Sequence, residues 1–508
     1  MSERNHVRDG GNPGPEKPAA ITSVGTHYLR YSTANLLVLL AGFISFPLLT
    51  RLLDNTQYGI LGYFETWVMI AVAVAKLGAQ HAILRFYPFG GDKDRINRFA
   101  TNYFYLPMMV SLALWLVAIT IFACIDWLGE ASFSPVLWCA VLAIPLTVFS
   151  SLVQMILRAG ERSAILMVTR VAARWLELLF MLGAVILIER TALAAYGGKI
   201  LAAIVVAVFY AWWVRQNLRF LRESLDFDEF KGSLKFGMPL ITNEIATVAL
   251  ISIDRLMLKG MLGDFAAVGI YSIGYGLALQ VSIFMHGTVS ESFMPVANRT
   301  YEAEGAEKMR DLKSRVLMPM TYASIGVAVA IWTVGSDALQ AISGTDKAAS
   351  GPVFAWIGAM YALYPLLDIS GYGLLLHKRS MTVFVLTLMA AAINIGLNLW
   401  LIPLHGIMGS VYATVASYAF LGIAVCVMCP RELLRFPDPR TVLVAGGSGA
   451  LFVLAVYATG LFGLATPWPR LFAAGGLWLL LFVLPVLVLD GRLRHLLLNW
   501  RTAKPIAK

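Results

Sequence analysis

The sequence predicts an all-α integral membrane protein of about fourteen transmembrane helices built as two related halves. Three observations carry that prediction. Over 508 residues the chain is 58% hydrophobic and only 14% charged, with a mean hydropathy of +0.72, far more apolar than a soluble domain. Its apolar stretches recur at lengths near the roughly 20 residues that a helix needs to cross the hydrocarbon of a bilayer. The sequences on the two sides of a central basic connector also repeat one another.

In chain order, residues 1–25 read as a disordered cytoplasmic tail, hydrophilic and rich in Gly and Pro, with no apolar core and cleavage site to make a signal peptide. Six spans follow, at 26–49, 60–84, 101–125, 135–157, 164–188 and 192–214, and form a first unit, 26–214. Residues 215–236 are a polar, basic connector, predicted as a cytoplasmic hinge loop, and Phe236-Gly237-Met238-Pro239 leads out of it into the seventh span. Spans at 237–258, 266–295, 316–336, 352–376, 381–402 and 406–429 form a second unit, 237–429. Two more, 441–463 and 470–489, occupy 430–490, and 491–508 is a cytoplasmic tail.

The repeat is visible in two pairs of segments at nearly one offset. Thr50–Tyr63, after the first span, matches Gly260–Tyr275, after the seventh: a leucine, a small polar loop, a glycine and an aromatic-rich helix start. Leu157–Ser163 matches Leu375–Ser380, and each opens a hairpin whose turn is expected to carry glycines, Gly197-Gly198 in one half and Gly406 with Gly409 in the other. Weak internal symmetry of this kind marks transporters built from duplicated bundles.

Loop charges set the orientation. Alternate loops are poor in basic residues (Arg51; none in Asp126–Ser134; Arg190; Lys259; Lys347; none in Pro403–Gly406; Arg470). The loops between them are rich: Arg85, Lys93, Arg95 and Arg98; Arg158 and Arg162; the connector; Arg299 through Arg315; Lys378 and Arg379; Arg431, Arg435 and Arg440. The alternation never breaks, so both termini and the connector are expected in the cytoplasm. The net charge of +10 is thus spread over loops and gathers into no nucleic-acid-binding patch.

Several chemistries find no support. Cys426 and Cys429 have no second thiol pair or nearby His to complete a zinc site, and Cys124 and Cys139 sit in or at the end of spans. No Gly-x-x-x-x-Gly-Lys-Ser/Thr run exists to wrap a nucleotide's phosphates. No metal, no cofactor and no enzyme activity are expected.

Ionisable side chains inside spans are costly and are therefore functional candidates. They are Glu65 and Lys76 in span two; Arg170, Arg174 and Glu177 in span five; Glu244, Asp254 and Arg255 in span seven; Glu291 in span eight; and Asp368 in span ten. Arg30, Arg85 and Asp368 lie close enough to span ends to snorkel. Arg174 and Glu177, three apart, share a helix face and can neutralise each other. Trp67, Tyr271, Tyr275, Tyr361 and Tyr364 are candidates for stacking on sugars, or simply for packing.

Thr50-Arg51-Leu52-Leu53 with Tyr58-Gly59, Leu234–Leu240, Asp254 followed by Gly269-Ile270-Tyr271, and Asn398 followed by Ile402-Pro403, Gly406 and Gly409 resemble the polysaccharide-transporter branch of the multidrug/oligosaccharidyl-lipid/polysaccharide (MOP) superfamily, the Wzx-like flippases. The resemblance spans about Tyr28 to Leu489. It implies two pseudo-symmetric six-helix lobes around a central cavity, plus two C-terminal helices, in a bacterial inner-membrane protein. The implied task is to move undecaprenyl-diphosphate-linked oligosaccharide between leaflets, beside the polymerase and chain-length machinery. A drug/cation antiporter of the same superfamily is the alternative, and a membrane glycosyl- or acyltransferase a third reading. A diphosphate headgroup crosses hydrocarbon only if a cationic cavity replaces its water and counterions. Lys76, Arg170, Arg174, Arg255 and Arg30 are the expected cavity cations, with Lys76, Arg170 and Arg174 at one depth. Without nucleotide motifs, coupling falls to a proton or Na⁺ bound at a membrane carboxylate, with Asp254, Glu65 and Glu177 as candidates, or transport is passive exchange.

Overall fold

The computed structural model describes residues 19–127, 134–289, 293–464 and 466–498, and among these every regular element is helical. The first half holds α1 (Ala19–Leu52), α2 (Asn55–Ala75), α3 (Lys93–Trp127), α4 (Pro135–Ala159), α5 (Ser163–Leu187) and α6 (Ala192–Asn217). The second holds α7 (Phe227–Leu262), α8 (Phe265–Thr288), α9 (Met294–Ser343), α10 (Gly351–Gly371), α11 (Ser380–His405) and α12 (Ile407–Met428). α13 (Pro439–Ala458) and α14 (Pro467–Leu489) follow. Twelve helices among the described residues are long and apolar enough to cross a membrane. The other two of the fourteen expected places are taken by α1, whose described apolar stretch is Leu36–Leu52, and α5, which carries Arg170, Arg174 and Glu177.

Packing repeats between the halves. In the first, α1 lies on α5, α2 on α4, α4 on α6, and α5 on α6; in the second, α7 lies on α11, α8 on α10, α10 on α12, and α11 on α12. Each set encloses its own apolar core, one centred on residues such as Val148, Leu152 and Tyr210 and the other on Leu250, Ile273 and Ile357. The matched turns agree in backbone detail. Glu161 (φ 55°) and Lys378 (φ 57°) are both left-handed, and the amides of Arg162 and Arg379 donate five residues back, to Leu157 at 2.9 Å and Leu374 at 2.8 Å.

The two halves meet along α2 and α8, where small residues let helix backbones approach. Asp54 and Asp264 cap these helices, accepting from the amides of Gln57 and Ala266. Five residues beyond each cap is a glycine. A Cβ on Gly59 would lie 1.9 Å from the Phe265 carbonyl, and one on Gly269 would lie 1.7 Å from the Asn55 carbonyl. The contact is thus reciprocal between equivalent positions of the repeat. Gly62 extends it by facing Ser272. At the connector end, Gly78 (φ 70°) rests against Gly237, the Cα of which a Cβ would meet at 2.6 Å.

Several boundaries differ from expectation. α1 begins at Ala19, so residues 19–25 are helical; residues 1–18 lie outside the described residues, as does most of the Asp126–Ser134 loop. The connector is no free loop over 215–236. α6 runs to Asn217 and α7 starts at Phe227, because Asp226 accepts from the amides of Asp228 and Glu229, and those two acids favour a helix N-terminus. Phe236-Gly237-Met238-Pro239 therefore lies well inside α7. The remaining strap is fastened to the start of α3: Asn97 accepts from the Arg219 amide (2.9 Å), Thr101 from the Leu221 amide (3.0 Å), and Asn102 bonds Ser224, Asp226 and Glu229. These contacts satisfy backbone groups that a loop would leave to water.

The basic segment before the ninth span is helical too, with a break at Gly305 (φ 80°). Gly197 and Gly198 lie inside α6, whose turn is formed by Ile188–Thr191; Gly198 serves a close crossing over the Phe180 carbonyl, as Gly409 does over that of Leu401. α13 and α14 are tied to the second half through Asp490, which accepts from Tyr322 (2.9 Å) and is paired with Arg492 (3.1 Å).

A methyl group at the α2–α8 contact has no room. In Gly59→Ala or Gly269→Ala, spin labels at Thr56 and Asp264 should read a longer distance than in the parent protein, as the two halves part at this end. An unchanged distance would show that the contact is not backbone to backbone.

Candidate functional site

The ionisable residues inside the helices are gathered at three places along the boundary between the halves and within the second half. At the connector end, Lys76 caps the C-terminus of α2 and is ion-paired to Glu244 of α7. Gln80 donates to the other carboxylate oxygen of Glu244 (2.5 Å). This clasp lies beside the Gly78–Gly237 contact, so two charges and two backbones close the same end. Lys76 was expected to join Arg170 and Arg174 around a phosphate. Its ammonium is instead taken up by a carboxylate of the opposite half, which the close α2–α7 approach brings within reach. Arg170 makes no ion pair among the described residues and lies within electrostatic reach of Tyr210, whose hydroxyl donates to Thr169 (2.9 Å).

Nearer the opposite end, five charges from four helices form a second group. Lys199 of α6 donates to Glu65 of α2 at 2.5 Å, with Tyr196 contributing a weaker bond at 3.3 Å. Arg174 and Glu177 of α5 pair at 2.9 Å, as their spacing allowed. Glu177 and Arg174 are close enough to act on Lys199, and Arg255 of α7 acts on Glu65. Arg255 also donates to Ser272 (3.2 Å) and lies 4.9 Å from the centre of the Tyr275 ring. Three cations, Arg174 and Lys199 of the first half and Arg255 of the second, thus gather with two carboxylates of the first half at the boundary between the halves. The side chain of Arg30 and the whole of Glu291 lie outside the described residues.

The third place is inside the second half. Asp254, fully buried, accepts from Tyr271 (2.5 Å), Thr414 (2.9 Å) and Asn398 (2.7 Å). Asn398 is in turn held by Asn394 and accepts from Ser410 (2.8 Å). Four helices, α7, α8, α11 and α12, therefore converge on one carboxylate. Asn394 Nδ2 is buried without a partner among the described residues. Rotating the Asn398 amide would turn its oxygen toward Asp254, giving with Thr414 a set of oxygens of the kind that suits a hard cation. As bonded, the same set suits a carboxyl that gains and loses a proton. From this group a file of hydroxyls continues: Tyr275 to Tyr361 at 2.7 Å and Tyr361 to Tyr418 at 3.3 Å. Asp368, one turn beyond Tyr364, pairs with His286 at 3.3 Å.

Sequence reasoning selected Glu65, Arg174, Glu177, Asp254 and Arg255 and passed over Lys199, Asn394, Ser410 and Thr414. The signal was present: Lys199 is eight residues inside α6, and Asn394/Asn398 and Ser410/Thr414 are polar pairs four apart on apolar helices.

A model of the family described as polysaccharide biosynthesis protein matches residues 26–300. The chain belongs to this family. Among curated proteins, no relative matches the sequence. Solved structures share the fold along nearly the whole chain. The lipid II flippase MurJ, in an inward closed conformation, aligns with a TM-score of 0.66 at 12% identity, covering 93% of this chain and 99% of that one. An inward-facing multidrug resistance MATE transporter of the MOP superfamily gives 0.58 at 15% identity, over 85% and 99%. The MATE multidrug transporter DinF-BH gives 0.57 at 16%, over 83% and 98%. This family member thus has the MOP fold, and it is a multi-pass membrane protein.

The Lys76–Glu244 clasp makes a test by charge exchange. In Lys76→Glu two carboxylates face each other, and a cysteine placed at Phe86 together with one at Phe236, whose rings lie 5.8 Å apart at this end, should crosslink less than in the parent protein. Adding Glu244→Lys should restore most of the yield. Equal yields in all three would remove the clasp as a closing contact.

Proposed function

We propose that this family member is a flippase for undecaprenyl-diphosphate-linked oligosaccharide, working by alternating access in a bacterial inner membrane. The observation that carries the reading is the group of Arg174, Lys199 and Arg255 at the boundary of the two halves, set in a chain of the polysaccharide biosynthesis family. A diphosphate sheds its water only where fixed cations replace it. Arg supplies a planar fork for phosphate oxygens and Lys a compact charge. Each of the three already has a carboxylate or hydroxyl partner, so none is an unpaired charge in hydrocarbon while the site is empty of substrate, and an arriving diphosphate would exchange with Glu65 and Glu177. The likeness to the lipid II flippase supports a lipid-linked substrate.

The coupling reading places the ion at Asp254. Its network lies one residue from Arg255 on α7, so an event at the carboxylate bears on a helix that also lines the boundary. Proton and Na⁺ both suit the donor set described above. The likeness to MATE transporters favours one second reading, export of organic cations, for which acidic side chains would be the binding groups.

Both halves of the proposal can be tested in vesicles reconstituted with the full chain. Asp254→Asn should lower gradient-driven movement of a lipid-diphosphate oligosaccharide at least about tenfold, the loss expected when an ion cannot bind. Arg255→Lys should keep part of the activity of the parent and Arg255→Ala little, since the fork is lost before the charge. Full activity in Asp254→Asn would end the coupling reading. Movement of cationic dyes with none of lipid-linked sugar would replace the flippase by the antiporter. Impermeant thiol reagents applied to intact cells should spare cysteines placed in the Arg215–Lys235 segment and label those in Asp126–Ser134; the reverse would invert the orientation.

A further inference from the structure

The connector end of the first half carries a cavity of about 450 Å³ that no part of the transport site uses. It lies between the helical segment Lys93–Ala100, the α4–α5 turn and the strap that follows α6. Its floor is apolar and closed: Ile156, Trp213 and Leu218 are all buried. Its walls are basic. Lys93, Arg162 and Arg219 face one acid, Asp94, and none of the three cations forms an ion pair among the described residues.

Two features show that the cavity is built rather than left over. The left-handed Glu161 aims the chain so that Arg162 lies over the Trp213 ring, 5.7 Å from its centre. Such a guanidinium, held by a ring face, keeps its edge N–H groups free for an acceptor. Asn97 is only 9% exposed; its Oδ1 is occupied by the Arg219 amide, and its Nδ2 has no partner among the described residues. An amide donor left open at the cavity beside three cations offers an oxygen-rich anion charge and a directed hydrogen bond together. Next to the cavity, Phe89 is 68% exposed and packs edge-on to Tyr87, one of the lining residues, at 5.5 Å. An apolar ring at the rim suits a ligand with a hydrocarbon body.

We infer that this cavity is a binding site for a phosphate-bearing headgroup of an anionic lipid, separate from the site at the boundary of the halves. The headgroup phosphate is held by Arg162, Arg219 and Lys93, with Asn97 Nδ2 as a further donor, and the acyl chains leave past Phe89. Arg219 belongs to the strap, eight residues before α7, and Arg162 to the first half. A bound phosphate therefore pins the strap to the first half at the point where the chain passes into the second. Phosphate alone has the same chemistry, and the test separates the two sources.

The purified full-length protein is titrated in detergent with phosphatidylglycerol, phosphatidylcholine or inorganic phosphate, and retention is read by native mass spectrometry. One phosphatidylglycerol should be retained about tenfold more tightly than phosphatidylcholine, whose choline cation meets the basic wall. Arg162→Gln with Arg219→Gln should weaken phosphatidylglycerol at least about tenfold, the effect of losing two charge-assisted hydrogen bonds. Lys93→Gln, on an exposed position that leaves folding untouched, should weaken it several-fold and stands in should the double variant not fold. Phosphatidylglycerol retained against excess inorganic phosphate identifies the lipid as the ligand. Phosphate bound by the parent protein and not by the variants, without lipid preference, identifies the free anion instead. Equal retention of phosphatidylglycerol by parent and variants, with no phosphate binding to either, overturns the inference.

Discussion

A charge inside a hydrocarbon slab is tolerable only when another group holds it, and the interior of this chain is ordered by that requirement. Lys76 is held by Glu244, Lys199 by Glu65, Arg174 by Glu177, and Asp254 by three neutral donors. The pairs differ in what they join. Arg174–Glu177 stays on one helix, and Glu65–Lys199 stays within the first half. Lys76–Glu244 crosses between halves, so it alone among these pairs must break if that end is to open. A cross-lobe pair left half-broken would strand a charge in low dielectric, a cost of several kcal/mol by general experience with buried pairs. A ligand or ion able to replace the lost partner removes that cost.

Backbone contact supplies the second constraint. Gly59 and Gly269 are equivalent positions of a duplicated motif, and each meets the carbonyl that follows the other's helix cap. A duplication that pairs its own two copies across an axis needs a small residue only once in the ancestral motif to obtain it at both sides of the contact. The same economy explains the shared left-handed turns at Glu161 and Lys378, each followed by Arg-Ser and the start of a long helix.

Much of the fold could be read from the sequence because hydrophobic length and loop charge act over tens of residues. The order of spans and the repeated pairs follow from such sums. Boundaries were harder. The connector looked like a loop because it is polar, yet Asp226, Asp228 and Glu229 are placed as a helix cap and first turn, and that local pattern prevailed. In the site, partners across helices were invisible: nothing near Lys76 in sequence points to Glu244, 168 residues away. Same-helix partners, such as Arg174 with Glu177, were legible from spacing alone. Lys199 was hidden by the glycines before it, which suggested a turn but serve a close helix crossing.

Asp254 and Arg255 bring these levels together. Neighbours on a helix point about 100° apart, and here that angle separates two environments: Asp254 turns into the core of the second half, and Arg255 turns toward Gly62 and the charges of the first. In the coupling proposed above, an ion or proton at the carboxylate would change how α7 is held by α8, α11 and α12. Any resulting shift of α7 carries Arg255 with it, past Glu65 and along the α2–α8 contact. One short stretch of helix is therefore enough to join the chemistry buried in one half to the contact between both, with no long-range pathway required.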